Sequence, residues 1–259
     1  MKYILNRFIL ILIFFSIPLK LNAAEINIKL LETNWSFKGI FGKFDRGELR
    51  RGYQVYSEVC AGCHSMSQLS YRNLYEEGGT EFSKEIVKNI AASYDISDGP
   101  NADGEMFTRP GKLSDKFASP YPNIEAAKAS NGGAYPPDMS VLAKARKGGA
   151  AYIYSLMQGY EEPPENYQLD DGVYYNKYME GNQIKMPNVL SEDIVEYADG
   201  TKATVEQMSK DISAFLTWAA EPSLEARHKM GYKVILYLFI LALLVYFSMN
   251  KLWSGIKSE

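Results

Sequence analysis

Along the chain, two stretches alternate apolar and polar residues with a helical rhythm, and a third has no polar rhythm at all. Leu49, Gly52, Tyr53, Tyr56 and Cys60 recur at the spacing of one helical face. Asp45 and Glu48 stand ahead of them as a capping pair. Val205, Met208, Ile212, Phe215, Leu216 and Ala219 repeat the rhythm behind a second capping box, Thr204 with Gln207, until Pro222 breaks it. That helix is expected to pack in the core, and a shorter one is expected over about Gly149 to Gln158. Val234 to Asn250, "VILYLFILALLVYFSMN", contains no charged residue. Such a run rises about 25 Å, and Gly231, Tyr232, Leu252 and Trp253 can lengthen it while Lys233 and Lys251 snorkel outward. The pattern predicts a transmembrane helix with aromatic residues at its ends.

Between these elements the pattern is broken by turn-forming residues. From Asp95 to Pro137 the chain is crowded with Gly, Pro, Asn and Asp, which excludes one long helix or sheet. Irregular chain of this length inside a compact protein is expected to be functional, here by wrapping something large. In "VEYADGTKAT", Asp199 and Gly200 lie between short β-prone runs, which predicts a small hairpin. No internal repeat is present.

The first 24 residues read as a secretory signal: Lys2 and Arg7 precede an apolar run from Phe8 to Ile17, and Ala23 and Ala24 supply small residues for cleavage. The expected layout is therefore a cleaved signal over 1–24, an exported globular domain over 25–228, an anchor over 229–252 and a cytoplasmic tail over 253–259. Basic residues flank the anchor on both sides, Arg227, Lys229 and Lys233 before it and Lys251 and Lys257 after it, so orientation rests on the signal. The formal charge of the 259-residue chain is -3, and loss of Lys2, Arg7 and Lys20 with the signal makes it -6. An acidic exported face does not suit nucleic acid but could steer a basic protein.

Both cysteines of the chain fall in "EVCAGCHSM", immediately before one of its two histidines. Three chemistries compete for this motif. A thioredoxin-like pair would want a βαβ context, and a zinc site would want four ligands where the chain offers Cys60, Cys63, His64 and the distant His228. Covalent haem c attachment uses all three residues: the thiols add to two vinyl groups and the following histidine ligates iron. The reading favours one covalently attached haem c. For the sixth ligand, methionine is preferred to His228, which abuts the anchor among charged residues. Met66 is too close to His64 to reach the opposite face, and Met157 and Met208 lie on expected helices as packing residues. Met106 and Met139 stay open. Met186, in "GNQIKMPNVL", lies ahead of the last core helix, the place of the ligand methionine in small cytochromes c, and is favoured on that likeness.

An ordered set of further segments resembles the cytochrome c1 family, the haem subunit of quinol-cytochrome c reductase or bc1 complex: "RRGYQVYSEVCAGCHSM", "YRNL", "MFTRPGKLSD", "PYPN", "NGGAYPPDMS", "KARKGGAAYIYSLMQGY", "NQIKMP", "VEYADGTKAT" and "FLTWAAEP". The resemblance covers essentially the whole mature chain. It implies a mainly α, cytochrome c-like domain with long loop insertions, a small β-hairpin and one C-terminal transmembrane helix. It implies thioether positions at Cys60 and Cys63, axial ligands His64 and Met186, a propionate partner in Arg146 and haem-pocket positions at Asn131, Pro137 and Tyr152. Gly52 and Tyr53 resemble the point where the first helix crosses the last near Phe215 and Leu216. Some relatives carry an extra disulfide for which this chain has no cysteine left. The function implied is one-electron transfer from a Rieske iron-sulfur subunit to a soluble or membrane-tethered cytochrome c, beside a cytochrome b subunit in a dimeric complex. The expected location is a bacterial inner membrane, with the haem domain in the periplasm. A membrane-anchored oxidase subunit or haem peroxidase, or a module in which haem is only a staple, are the rival readings.

Overall fold

The computed structural model describes residues 28–256. The expected signal and the last residues of the tail lie outside that range. In chain order the elements are α1 (Arg46–Val55), continued by a π-helical turn (Tyr56–Cys60), a 3-10 turn (Tyr71–Leu74), α2 (Lys84–Ala92), β1 (Asp95–Asp98), β2 (Phe107–Pro110), α3 (Ile124–Ser130), α4 (Leu142–Ala145), α5 (Ala150–Met157), β3 (Tyr174–Tyr175), β4 (Gln183–Ile184), α6 (Val205–Ala220) and α7 (Leu224–Ile256). The architecture is mainly helical, with an apolar C-terminal helix, as the sequence pattern predicts.

The core is organised by the crossing of α1 and α6. A Cβ on Gly52 would lie 2.2 Å from the Asp211 carbonyl oxygen and 2.6 Å from the Phe215 Cβ, so only glycine lets the two backbones approach this closely. Aromatic rings fill the space around it. Tyr53 meets Phe215 edge-on at 5.8 Å, and Tyr56 stacks on Phe117 at 6.0 Å, which in turn stacks on Tyr71 at 4.8 Å. The same crossing buries a charge: Asp211, fully enclosed, accepts from the Arg51 guanidinium at 2.9 and 3.1 Å and from the Gln207 amide. Such a carboxylate is tolerated inside a core because its lone pairs are matched by the planar donor fork.

Three expectations are modified. The first helix does not remain α-helical to Cys60 but widens into the π turn, with Ala61 N–H donating to the Tyr56 carbonyl at 2.8 Å. At α6 only half of the capping box forms: Thr204 Oγ1 accepts from the Gln207 N–H, while the Gln207 side chain is taken by Asp211. The hairpin expected at Asp199 and Gly200 is a turn without a strand ladder; Gly200 N–H reaches the Tyr197 carbonyl at 3.0 Å and Asp193 N–H the Ala203 carbonyl at 2.9 Å. Its flanks instead bury Val195, Tyr197 and Ala203 in the core, and Asp199 pairs with Arg51 at 2.7 Å. The small antiparallel sheets are formed elsewhere, with Asp95 opposite Pro110 in one and Tyr174 opposite Ile184 in the other.

The long helix α7 begins inside the globular body. Its Leu224 and Glu225 are buried, and Glu225 accepts two hydrogen bonds from Arg46, at 2.8 and 3.0 Å, and one from the Phe44 N–H at 2.9 Å. From Met230 onward the described side chains are largely exposed. Leu224–Ser254 is long and apolar enough to cross a membrane, and its apolar window has no burial within the protein.

Candidate functional site

The π turn delivers the chain into a compact loop in which Cys63 and His64 N–H groups both donate to the Cys60 carbonyl, at 3.1 and 2.9 Å. All three chemistry-bearing residues of the motif are thereby gathered at the end of α1. A second segment, 137–140, is strapped to this loop by hydrogen bonds. The His64 Nδ1 lies 2.8 Å from the Pro137 carbonyl oxygen, and since a carbonyl only accepts, Nδ1 carries the proton and Nε2 keeps its lone pair. Burial pushes His64 below its ordinary pKa against the opposing pull of Pro137, so the imidazole is held in its neutral, ligating form. Met139 N–H donates to the Ser65 carbonyl at 2.8 Å, and Asp138 accepts from Ser65 Oγ, Ser67 N–H and Ser67 Oγ, each at 2.8 Å. Burial alone would raise Asp138, but hydrogen bonds from Ser140 and Ser67 outweigh it and carry it down to about 2.

Facing this loop is a cavity of about 580 Å³, a volume typical of ligand sites. Ile212 and Leu216 of α6 and Ile153, Leu156 and Met157 around α5 give it an apolar interior. Its lining includes all eight residues that the family resemblance places at a haem site: Cys60, Cys63, His64, Asn131, Pro137, Arg146, Tyr152 and Met186. These come from six separate parts of the chain, so the fold alone brings them together. Asn131 ends α3 and donates to the Ala127 carbonyl at 2.7 Å and to the Tyr121 hydroxyl at 3.0 Å, which fixes its amide. Arg146 is exposed and donates to the neighbouring Ala145 carbonyl at 3.2 Å. Pro137 is on the lining and also holds His64 through its carbonyl.

Met186, also on the cavity lining, sits half-buried on irregular chain just after β4. Its carbonyl accepts from the Tyr160 hydroxyl at 3.0 Å, and the adjacent Lys185 ammonium reaches the Gly132 carbonyl at 3.2 Å. Tyr160 follows directly from the end of α5, where Gly159 packs against Asn176; a Cβ on Gly159 would lie 2.4 Å from the Asn176 Oδ1. Asn176, fully buried, donates to the Leu156 carbonyl at 2.8 Å and accepts from the Tyr178 N–H at 3.0 Å. Burial pushes the Tyr160 phenol up, so it remains a proton donor.

Two sequence expectations about methionine need refinement. Met106 is exposed on the β1–β2 hairpin and does not line the cavity, whereas Met139 does. Met179 also lines it and was not singled out by sequence; it lies in irregular chain with no proline or helix boundary to mark it. Its sulfur accepts from the Tyr152 hydroxyl at 3.4 Å. Tyr160 was likewise missed, and its one signal is an aromatic residue placed just after a helix-ending glycine.

The donor set fits the cofactor the motif calls for. Buried Cys60 and exposed Cys63 are unpaired with each other, and burial pushes the Cys60 thiol up to about 12. A thiol held protonated is a poor redox nucleophile. Among the described residues, no group of three or more His, Cys, Asp or Glu side chains is arranged to hold a metal ion. A flat apolar ring system joined through both sulfurs and bound by the free His64 Nε2 matches an apolar cavity with few polar groups.

Comparison with known proteins agrees. The chain is 47% identical over 236 residues to "Cytochrome c1-2, heme protein, mitochondrial" of Solanum tuberosum, covering 91% of this chain and 90% of that protein. It is 44% identical over 251 residues to cytochrome c1 of Rhodospirillum rubrum, covering 91% of each. It is also 48% identical over 239 residues to "Cytochrome b/c1" of Bradyrhizobium diazoefficiens, where 85% of this chain matches 35% of a longer protein. The profile of the Cytochrome C1 family matches residues 35–256, and this chain belongs to that family.

Proposed function

We propose that the chain is the haem c subunit of a bc1-type quinol-cytochrome c reductase. It would accept single electrons from a Rieske iron-sulfur subunit and pass them to a soluble or membrane-tethered cytochrome c. The observation that carries this reading is the convergence of Cys60, Cys63, His64 and Met186 on one apolar cavity in a member of this family. When bound, haem c supplies a one-electron couple at its iron. The chain's own residues do the rest. Cys60 and Cys63 would hold the ring covalently, His64 would offer Nε2 because the Pro137 carbonyl engages Nδ1, and Met186, on the same cavity lining, would offer its thioether.

The other cavity methionines are less suited. Met139 belongs to the strap on the His64 side, the Met179 sulfur is engaged by Tyr152, and Met157 is a buried residue of α5. Arg146 has the charge and planar fork to pair with a propionate, with Tyr152 and Asn131 nearby on the same lining. No side chain is needed as acid, base or nucleophile, so the enzymatic chemistry belongs to the complex. The joined name of the Bradyrhizobium protein supports a cytochrome b partner. The α7 anchor and the signal-like leader support a bacterial inner membrane with the haem domain in the periplasm, and the family supports a dimeric complex.

Gentle detergent purification tests the assignment. Co-purification with a haem b subunit and an iron-sulfur subunit, with quinol-dependent reduction, is expected; a solitary haem protein active on peroxide would overturn it. Met186→Leu should change the visible spectrum and lower the midpoint potential, since thioether ligation raises it. An unchanged spectrum would move the ligand to another methionine.

A further inference from the structure

Before α1 the chain makes a tight loop whose tip is apolar and exposed. Gly42 N–H donates to the Gly39 carbonyl at 3.1 Å and Lys43 N–H to the Ser36 carbonyl at 3.0 Å, so residues 36–43 close on themselves. Gly39 has φ +86, and a Cβ on Gly42 would lie 2.2 Å from the Phe37 carbonyl oxygen, so both glycines are required by the turn. The base is anchored by aromatic contacts, Phe37 on Phe44 at 5.0 Å and Trp35 on Phe37 at 5.4 Å. The tip is different: Ile40 and Phe41 are 77% and 75% exposed. A loop held this firmly yet presenting two large apolar side chains outward has a surface without a partner in the isolated chain.

Its position indicates what covers that surface. The Gly42 carbonyl lies 3.3 Å from the His228 Nδ1, and the Phe41 ring lies 6.5 Å from the Tyr232 ring. His228 and Tyr232 are four residues apart on α7 and so share one face. Tyr232 precedes the uncharged run by two residues, about 3 Å along the helix axis, so the loop tip stands level with the start of the apolar span. Exposed Lys38 and Lys43 flank the tip, and Lys233 follows Tyr232. Apolar side chains beside tyrosine, ringed by lysines with long aliphatic stems, match the headgroup zone of a bilayer, particularly one with anionic lipids.

We infer that Ile40 and Phe41 form a second membrane contact, a finger inserted into the interfacial layer beside the α7 span. The inference rests on α7 being a membrane anchor. A protein partner suits the tip less well: two side chains fall far short of the roughly 1,000 Å² of a specific interface, whereas an interfacial contact continuous with a span needs no such area.

The test replaces Phe41 with the photoreactive p-benzoylphenylalanine in the full chain, in its native membrane, with the same substitution at Leu241 as a control in the span. Haem incorporation reports folding, and Ile40→p-benzoylphenylalanine serves as an independent probe of the tip. Lipid adducts at position 41 or 40 as well as at 241 support the inference. Lipid adducts at 241 with water-quenched, unlinked probes at both tip positions overturn it, as do adducts to a peptide of another subunit at both. Absence of lipid adducts at 241 as well would overturn the anchor reading and this inference with it.

Discussion

The cavity's two walls are built from different material. Cys60, Cys63 and His64 follow without interruption from α1, whose Gly52 is pressed against α6, and the strap from Pro137 to Ser140 closes over them through several hydrogen bonds. Met186 belongs to no helix; it is placed by the Tyr160 hydroxyl, the Lys185 contact and the short β3–β4 pairing. Position on the first wall is therefore tied to global stability, because it cannot change unless the core opens. Position on the second wall rests on fewer buried contacts, with Met186 only half-buried where it packs against the core. Under the proposed ligation, one ligand would be set by the helix crossing and the other by hydrogen bonds to irregular chain, and the second would be the cheaper to adjust.

The strongest way to break this contrast is Gly52→Ala. In an open helix the change would stabilise by about 1 kcal/mol. Here the new Cβ meets the Asp211 carbonyl oxygen at 2.2 Å, so α1 and α6 must separate, and a net loss of about 3 kcal/mol is expected in denaturant unfolding together with poor haem incorporation. A variant as stable as the parent would show that the crossing does not carry the first wall.

Asp138→Asn addresses the strap. Removing the charge-assisted hydrogen bonds should cost about 2 kcal/mol at neutral pH. The folded pKa of Asp138, about 2, lies below the unfolded value of about 3.9, so its contribution is complete above the unfolded value and is lost as pH falls toward the folded one. Unfolding measured from neutrality down through that window should show an acid loss in the parent that is shallower in the variant; identical slopes would remove Asp138 from the account.

Tyr160→Phe sharpens the other side. Loss of one neutral hydrogen bond to the Met186 carbonyl should lower stability by about 1 kcal/mol or less. The expected signature is spectroscopic: a broadened or shifted ligand-sensitive visible band and a changed midpoint potential, with the first wall undisturbed. A variant that loses stability without any spectral change would make Tyr160 a packing residue only.

Much of this contrast could be read before any coordinates. The helices at Asp45 and Thr204, the apolar span and the Cys-His motif are local patterns, each set by residues a few positions apart. The Gly52 contact was also expected, through family likeness rather than periodicity. What the sequence misplaced depends on competition between distant groups. Gln207 leaves its cap because Asp211 needs a second donor, and the Asp199 turn forms no ladder because its flanks bury Val195, Tyr197 and Ala203. The contacts of Tyr160 and Met179 escaped the sequence for a related reason: their partners are contributed by chain that lies 26 or 27 residues away, and no spacing rule connects them.

The continuity of α7 has a mechanical consequence. Glu225, clamped by Arg46, and the apolar run beyond it belong to one unbroken helix of 33 residues, about 50 Å long. A bilayer thinner than an apolar helix is accommodated by leaning that helix, commonly by about 20°. A helix that stays straight across this junction would make the body, clamped at Glu225, lean with it. Membrane thickness would then act as a goniometer for the cavity, setting the direction in which it faces the aqueous side.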